Sequence, residues 1–332
     1  MLELLILILI IIMALSFGFT NGMNDASNVM AVPIGTRAMT PKQAVVVASV
    51  CNLLGAITGT AVAITIGKGI VPADAMTYTI IIGALAAVIL WGVLATIMGR
   101  PISLTHSLVS ALAFSGVAIV GFGGLEWAAM LRIGLAVIFA PLLGFITAAL
   151  LMIVIYWIFH RASPAKTNTI FVRGQWFSSA FMAYAHGKND GQSPAGIIMI
   201  AFVLFAGDAA MWADGIPFWI KLLSGLSITA GTAIGGWQVI KTLGTKVTNL
   251  RSAQGFTAQI GGAGVIELAS WLGIPVSTTH CIASSIMGVG AIKRLSAVRW
   301  GMVKEIVMTW LVTFPICGAL GFIVTSVLNL FM

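Results

Sequence analysis

Apolar residues along this chain come in long runs broken by short polar gaps, with neither the two-residue alternation of a sheet nor the polar faces of soluble helices. A helix needs about 20 apolar residues to cross a bilayer. The runs lie near 3–36, 43–66, 77–98, 101–121, 131–159, 176–206, 217–240, 254–273, 275–292 and 305–331, and predict ten crossings. The first and sixth are too long for one straight crossing of a core roughly 30 Å thick. Each also holds a polar Gly-x-Asn-Asp motif, so both are expected to be broken or re-entrant helices.

Composition sharpens this to an all-α polytopic membrane protein. The 332 residues are 59% hydrophobic and 8% charged, with a mean hydropathy of +1.07, whereas a soluble domain has roughly half its residues apolar and about a quarter charged. The net charge of +8 would suit nucleic acid, but the basic residues lie in the gaps between apolar runs, where orientation signals belong, so no nucleic-acid partner is expected. Thirteen lysines and arginines, from Arg37 and Lys42 to Lys304, occupy alternate gaps; Lys68, Arg132 and Lys221 occupy the others, beside Asp74, Glu126, Asp208 and Asp214. The positive-inside rule puts the first set in the cytoplasm and both termini on the outer side. The N-terminal run carries Glu3 and no basic n-region, and reads as a retained span rather than a cleaved signal. Cys51, Cys281 and Cys317 lie in apolar segments and read as buried thiols.

Two motifs each occur twice, in the same order. "GMNDASN" at 22–28 matches "GKNDGQS" at 187–193, and "PISLTHS" at 101–107 matches "PVSTTHC" at 275–281. Five crossings per half is odd, so the halves face opposite ways, as in the inverted-topology repeats of secondary transporters. The expected organisation is a first transport repeat over 1–159, a cytoplasmic linker over 160–175 and a second, inverted repeat over 176–332.

Asp25 and Asp190 are carboxylates inside apolar segments, costly by a few kcal/mol even on mild scales, and so functional by default. A structural pair with Lys188 is the alternative for Asp190. Gly22 and Gly187 suit a chain that leaves helical geometry, freeing carbonyls which, with oxygens of Asp25, Asn28, Asp190 and Ser193, make a hard-oxygen set for a small cation. Asn24, Asn189 and Gln192 extend that set. In the second motif Pro101 and Pro275 are expected at the first helical position, followed by Ser103, Thr105, Ser277, Thr278 and Thr279. Hydroxyls and free N–H groups at a helix start form an anion site, though such clusters also serve as plain caps. His106 and His280 read equally as packing residues or as groups for protonation or anion contact, and Glu267 as a proton carrier or a structural partner. No metal site beyond a coupling cation is expected. An oxyanion beside two carboxylates leaves the balance negative against two helix ends of roughly +0.5 each, so cations should bind with the anion.

At "GMNDASN", "AHGKNDGQS", "GTAIGGWQVIKTLGTKVTNL" and "GFTAQIGGAGVIELASWLGIPVSTTH" the chain resembles the PiT family of inorganic phosphate transporters over nearly its whole length. The resemblance implies phosphate uptake with sodium or protons, an inverted-repeat fold, phosphate and cation sites lined by Asn24, Asp25, Ser103, Thr105, Asn189, Asp190, Ser277, Thr278 and Thr279, and a homodimer. Animal members look to carry glutamates where this chain has Asn52 and Gln259, and similar bacterial members tend to read Asn-Asp-Ala-Gln-Lys where this chain has Gly191 and Ser193. The reading is a cation-coupled phosphate symporter working by alternating access, with no cofactor, in the lipid of the cell inner membrane. A sulfate permease of the same fold is the nearest alternative and an anion channel the next. An intramembrane enzyme would leave the repeat and the Ser-Thr motifs without a role.

Overall fold

In the computed structural model, which describes residues 1–72, 74–248 and 250–331, apolar runs become helices, and a hydroxyl residue caps the start of five of them. The first half contains α1 (Leu2–Gly35), α2 (Pro41–Thr58), α3 (Ala61–Lys68), α4 (Tyr78–Ile97), α5 (Leu104–Val120) and α6 (Trp127–Phe159). The second contains α7 (Pro164–Asp190), α8 (Gln192–Ala206), α9 (Phe218–Ile234), α10 (Trp237–Lys241), α11 (Ser252–Trp271), α12 (Thr278–Lys293) and α13 (Trp300–Leu328). Thr40, Thr77, Ser103, Ser163 and Ser277 cap α2, α4, α5, α7 and α12 by accepting the amide three residues on. Met332, the last residue of the expected second repeat, lies outside the described residues.

Several expectations change. α1 is not broken: it stays helical through Gly22–Asn28 and past Pro33. Pro33 has no N–H for the Val29 carbonyl, and Gln259 of α11 replaces it, its Nε2 donating to Val29 O at 3.1 Å. The segment expected at 176–206 starts earlier, at Pro164, so most of the expected linker is helix; the segment is interrupted at Gly191, whose carbonyl accepts from Ser224. The 43–66 segment is divided at Gly59–Thr60, and α9 meets α10 across Gly235–Gly236 at a bend of 65°. Among the described residues, five helices are long and apolar enough to cross a membrane, or six counting that bent pair as one span. The helices at 101–121 and 275–292 are 17 and 16 residues long, roughly 25 Å at 1.5 Å per residue and short of a full crossing.

The helices enclose two apolar cores. One gathers Leu7–Phe17 of α1 with α3, α4, α5 and α8; the other gathers Ala26–Val32 of α1 with α2, α6, α7, α11 and α12. Between them α1 carries Thr20, Asn21, Asn24 and Asp25, all buried, so a polar layer lies between two greasy ones. α1 packs on α9 and α7 on α2, while α6 lies on α12 and α13 on α5, so each half's last helix covers the other half. The first two crossings are tight. A Cβ on Gly22 would stand 1.9 Å from Ile228 O, and one on Gly187 would stand 2.1 Å from Asn52 O. These glycines sit in intact helix and serve backbone-to-backbone approach, in place of the expected unwinding. Outside, α6 presents Leu131, Leu135, Ile138, Leu142, Leu150 and Trp157, the apolar surface a membrane helix turns to lipid.

Candidate functional site

The site forms where α5 and α12 begin. Both start inside the molecule, and their first-turn histidines, His106 and His280, stand 5.1 Å apart between ring centroids. Pro101 and Pro275 are not the first helical residues. Ser103 and Ser277 are the caps, accepting from His106 N at 3.2 Å and His280 N at 3.1 Å. A hydroxyl there satisfies an amide that has no carbonyl partner, which a proline placed just inside the helix cannot do. The amides ahead of it lack intrahelical partners, and each helix start carries about half a positive charge.

The threonines of these first turns reach the two carboxylates. Thr105 Oγ1 donates to Asp190 Oδ1 (3.2 Å), Thr278 Oγ1 to Asp190 Oδ2 (2.9 Å) and Thr279 Oγ1 to Asp25 Oδ1 (2.7 Å). Asn28 donates to Thr278 and Thr279 at 3.1 and 3.0 Å. Both motifs therefore meet, and each half's helix starts serve the other half's carboxylate or its own, with Asp25 and Asp190 buried.

The paired asparagines hold the chain that leads into the short helices. Asn24 Nδ2 donates to Thr96 Oγ1 (2.8 Å) and Arg100 O (3.3 Å), and its Oδ1 accepts from Ile102 N (3.4 Å). With its nitrogen turned toward them, Asn189 donates to Val276 O and Asp190 Oδ1, 3.1 Å each, and its oxygen faces Ser270 Oγ at 2.9 Å. Both amides are thus engaged at each end, which makes them positioning groups for the α5 and α12 starts.

His186 was not among the residues the sequence singled out. Its Nε2 lies 3.2 Å from Asp190 Oδ2, four residues on along α7. Its Nδ1 faces Asn52 Oδ1 at 2.9 Å, and Asn52 Nδ2 donates to Thr232 Oγ1 at 3.0 Å. Thr232 orients the Asn52 amide, so Asn52 accepts from Nδ1–H and turns Nε2 toward Asp190. The i,i+4 spacing of His186 and Asp190 was the available signal. Asp25, His186 and Asp190 each offer one atom to a group lying within 4.8 Å, all three buried. Two carboxylates that close in a dry interior share a proton or take a compensating cation. Asn28 Oδ1, Ser193 Oγ and both amide atoms of Asn21 are buried without a hydrogen-bond partner among the described residues. Unsatisfied oxygens on the same motifs as two carboxylates suit a small hard cation.

Lys188 does not face Asp190. It forms an ion pair with Glu267 of α11, which gives each of these two residues its partner. His106 and His280 stack on Phe314 and Trp310 of α13 at 5.5 and 3.8 Å, while both ring nitrogens of His106 and Nε2 of His280 lack hydrogen-bond partners among the described residues. The three cysteines are unpaired; Cys281 and Cys317 are buried as expected, whereas Cys51 is half-buried. Beside the α5 start lies a cavity of about 450 Å³ bounded by Arg100, Pro101, Thr242, Met302, Lys304 and Thr309.

A family model described as the phosphate transporter family matches residues 21–321. The chain is 38% identical over 329 residues to a Bacillus subtilis protein described as "probable low-affinity inorganic phosphate transporter", covering 98% of each. A Rhizobium meliloti protein with the same description is 38% identical, with 93% of this chain and 92% of that one covered. A solved structure described as a sodium-dependent phosphate transporter superposes with a TM-score of 0.92 at 29% identity, covering 98% of this chain and 100% of that one.

Proposed function

The chain belongs to the phosphate transporter family, and from that premise we propose that it is a sodium-coupled symporter of inorganic phosphate. The observation that carries the coupling is the buried meeting of Asp25 and Asp190 with the starts of α5 and α12. Two carboxylates alone repel an anion; two helix starts alone attract one. A cation between the carboxylates removes the repulsion, and hydroxyls of Thr105, Thr278 and Thr279 then become free to donate to phosphate oxygens. Occupancy of each site thereby favours the other, as symport requires. Sodium is preferred because hard oxygens line the site and because the superposed relative is described as sodium-dependent.

In this reading Ser103 and Ser277 hold the helix starts, Asn24 and Asn189 fix the segments leading into them, and Asp25, Asn28, Asp190 and Ser193 take the cation. The halves act as an inverted-topology repeat of residues 1–159 and 176–332. The matched crossings of α1 on α9 and α7 on α2, and of α5 on α13 and α12 on α6, support this. Alternating access then moves the short helices against the rest, with the cavity at Arg100 and Thr309 as the route from the cytoplasmic side. Both termini are outside, in the cell inner membrane, and the protein is a homodimer, which crosslinking in native membranes tests.

The deciding experiment is uptake of radiolabelled phosphate into proteoliposomes under a sodium gradient, then under a proton gradient, with Asp25→Asn and Asp190→Asn alongside. Concentrative uptake driven by sodium and lost in both variants is expected. Uptake driven by protons alone would replace the coupling ion. Uptake that never exceeds equilibrium would make the protein a channel, and unlabelled sulfate competing as well as phosphate would change the substrate.

A further inference from the structure

The turn between α12 and α13 shares its geometry with the turn between α5 and α6. Each opens with a single 3-10 turn, Leu295–Ala297 in one and Phe122–Gly124 in the other. In each, the tryptophan that starts the next helix donates its indole N–H back five residues at 2.9 Å: Trp300 to Leu295 O, and Trp127 to Phe122 O. Each buries one aliphatic plug, Val298 and Leu125. They differ in charge, since Arg294 and Arg299 stand where the other turn has Gly121 and Glu126. The same backbone geometry therefore forms in the other turn without an arginine at either place.

The basic turn also encloses a space that binding would use. A cavity of about 260 Å³ is lined by Thr248, Gln254, Lys293, Arg294, Ser296 and Arg299, with no carboxylate among its described lining residues. Thr248 Oγ1 donates to Ala297 O (2.9 Å) and Arg299 N to Val247 O (3.1 Å), which fix the turn against the segment before α11. Beside this polar hollow, Leu295 is 69% and Trp300 48% exposed. The positive-inside rule accounts for the sign of the charges but not for a concave arrangement edged by exposed apolar side chains.

We propose that this cavity binds the phosphate headgroup of an anionic membrane phospholipid, with an acyl chain lying along Leu295 and Trp300. Basic pockets between membrane helices suit such headgroups, and a tryptophan at the headgroup level anchors the surface. A free phosphate ion would use the cations and hydroxyls but leave the apolar edge without a role, which favours the lipid.

The test is a binding titration of the purified full-length chain in neutral detergent, with phosphatidylglycerol and phosphatidylcholine as probes, read by native mass spectrometry. Wild type should retain phosphatidylglycerol in preference. Lys293→Gln with Arg294→Gln should lose roughly 30-fold in that affinity, from two cations at about 1 kcal/mol each. Both residues are exposed, and size-exclusion chromatography checks that the variant is folded. Ser296→Glu, which adds a carboxylate to the rim and removes no cation, should weaken binding as well and stands in if the first variant fails to fold. Arg161→Gln with Lys166→Gln, two exposed cations of another loop, should leave binding unchanged. Equal losses in this control, equal retention of both lipids, or displacement of the lipid by millimolar inorganic phosphate would each overturn the proposal.

Discussion

Lys188 stands two residues from Asp190, so its role decides how the site's charge is balanced. The structure pairs it with Glu267, with side chains 17% and 29% exposed. That pair is neither fully solvated, where such contacts contribute about 0.2–1 kcal/mol, nor fully buried, where removing one partner costs about 3–5 kcal/mol. Lys188→Gln should therefore destabilise by an intermediate amount, about 1–2 kcal/mol, by leaving Glu267 half-buried without its cation. Lys188→Gln with Glu267→Gln should recover most of that loss, since two amides can still bond. Stability is read as the time course of heat inactivation in detergent, and function as the KM for phosphate in sodium-loaded proteoliposome assays. KM should stay within about twofold of wild type in both variants, because no phosphate contact has been removed. A lysine donating directly to phosphate would contribute about 1.5–3 kcal/mol, or roughly 10- to 150-fold in KM. A rise of that size in Lys188→Gln that persists in the double variant would refute the pairing as the residue's main role.

Three further outcomes follow from the same geometry. Gln259→Leu should cost at least about 1–3 kcal/mol by orphaning Val29 O and taking the acceptor from the Ser178 and Ser179 hydroxyls; Pro33→Ala in that background should restore the Val29 part of it by returning the missing N–H, as denaturation in detergent would record. Thr279→Val keeps the side-chain shape but removes the hydroxyl 2.7 Å from Asp25, which turns to phosphate once the cation is bound, and at about 1.5–3 kcal/mol for a charged hydrogen bond should raise the KM for phosphate at least tenfold in uptake assays at saturating sodium. Gly22→Ala should sharply reduce the yield of folded protein on size-exclusion chromatography, because its methyl would meet Ile228 O at 1.9 Å.

By itself the sequence determined the helical class, the polar motifs and their pairing across two halves. Long apolar runs can satisfy their backbone in lipid only as helices or closed barrels, and carboxylates inside such runs need partners wherever they end up. It also marked the starts of α5 and α12, although it put the prolines at the first helical position, which Leu104 and Thr278 take. The departures have a common origin. Expecting the Asn-Asp segments to unwind hid the helical geometry that organises them. On an intact helix His186 and Asp190, four residues apart, share a face, while Lys188, two residues from Asp190, points away from it. Gly22 and Gly187 are likewise explained by neighbours on α9 and α2 that their local sequence does not contain. Only the tertiary structure decided which distant groups answer these demands: Glu267 for Lys188, Gln259 for the carbonyl released by Pro33, Asn52 for His186, and the two short helices for Asp25 and Asp190. A polar or charged group in an apolar chain states a need for compensation, but the group that meets it comes from a helix dozens to hundreds of residues away, and packing alone brings the two together.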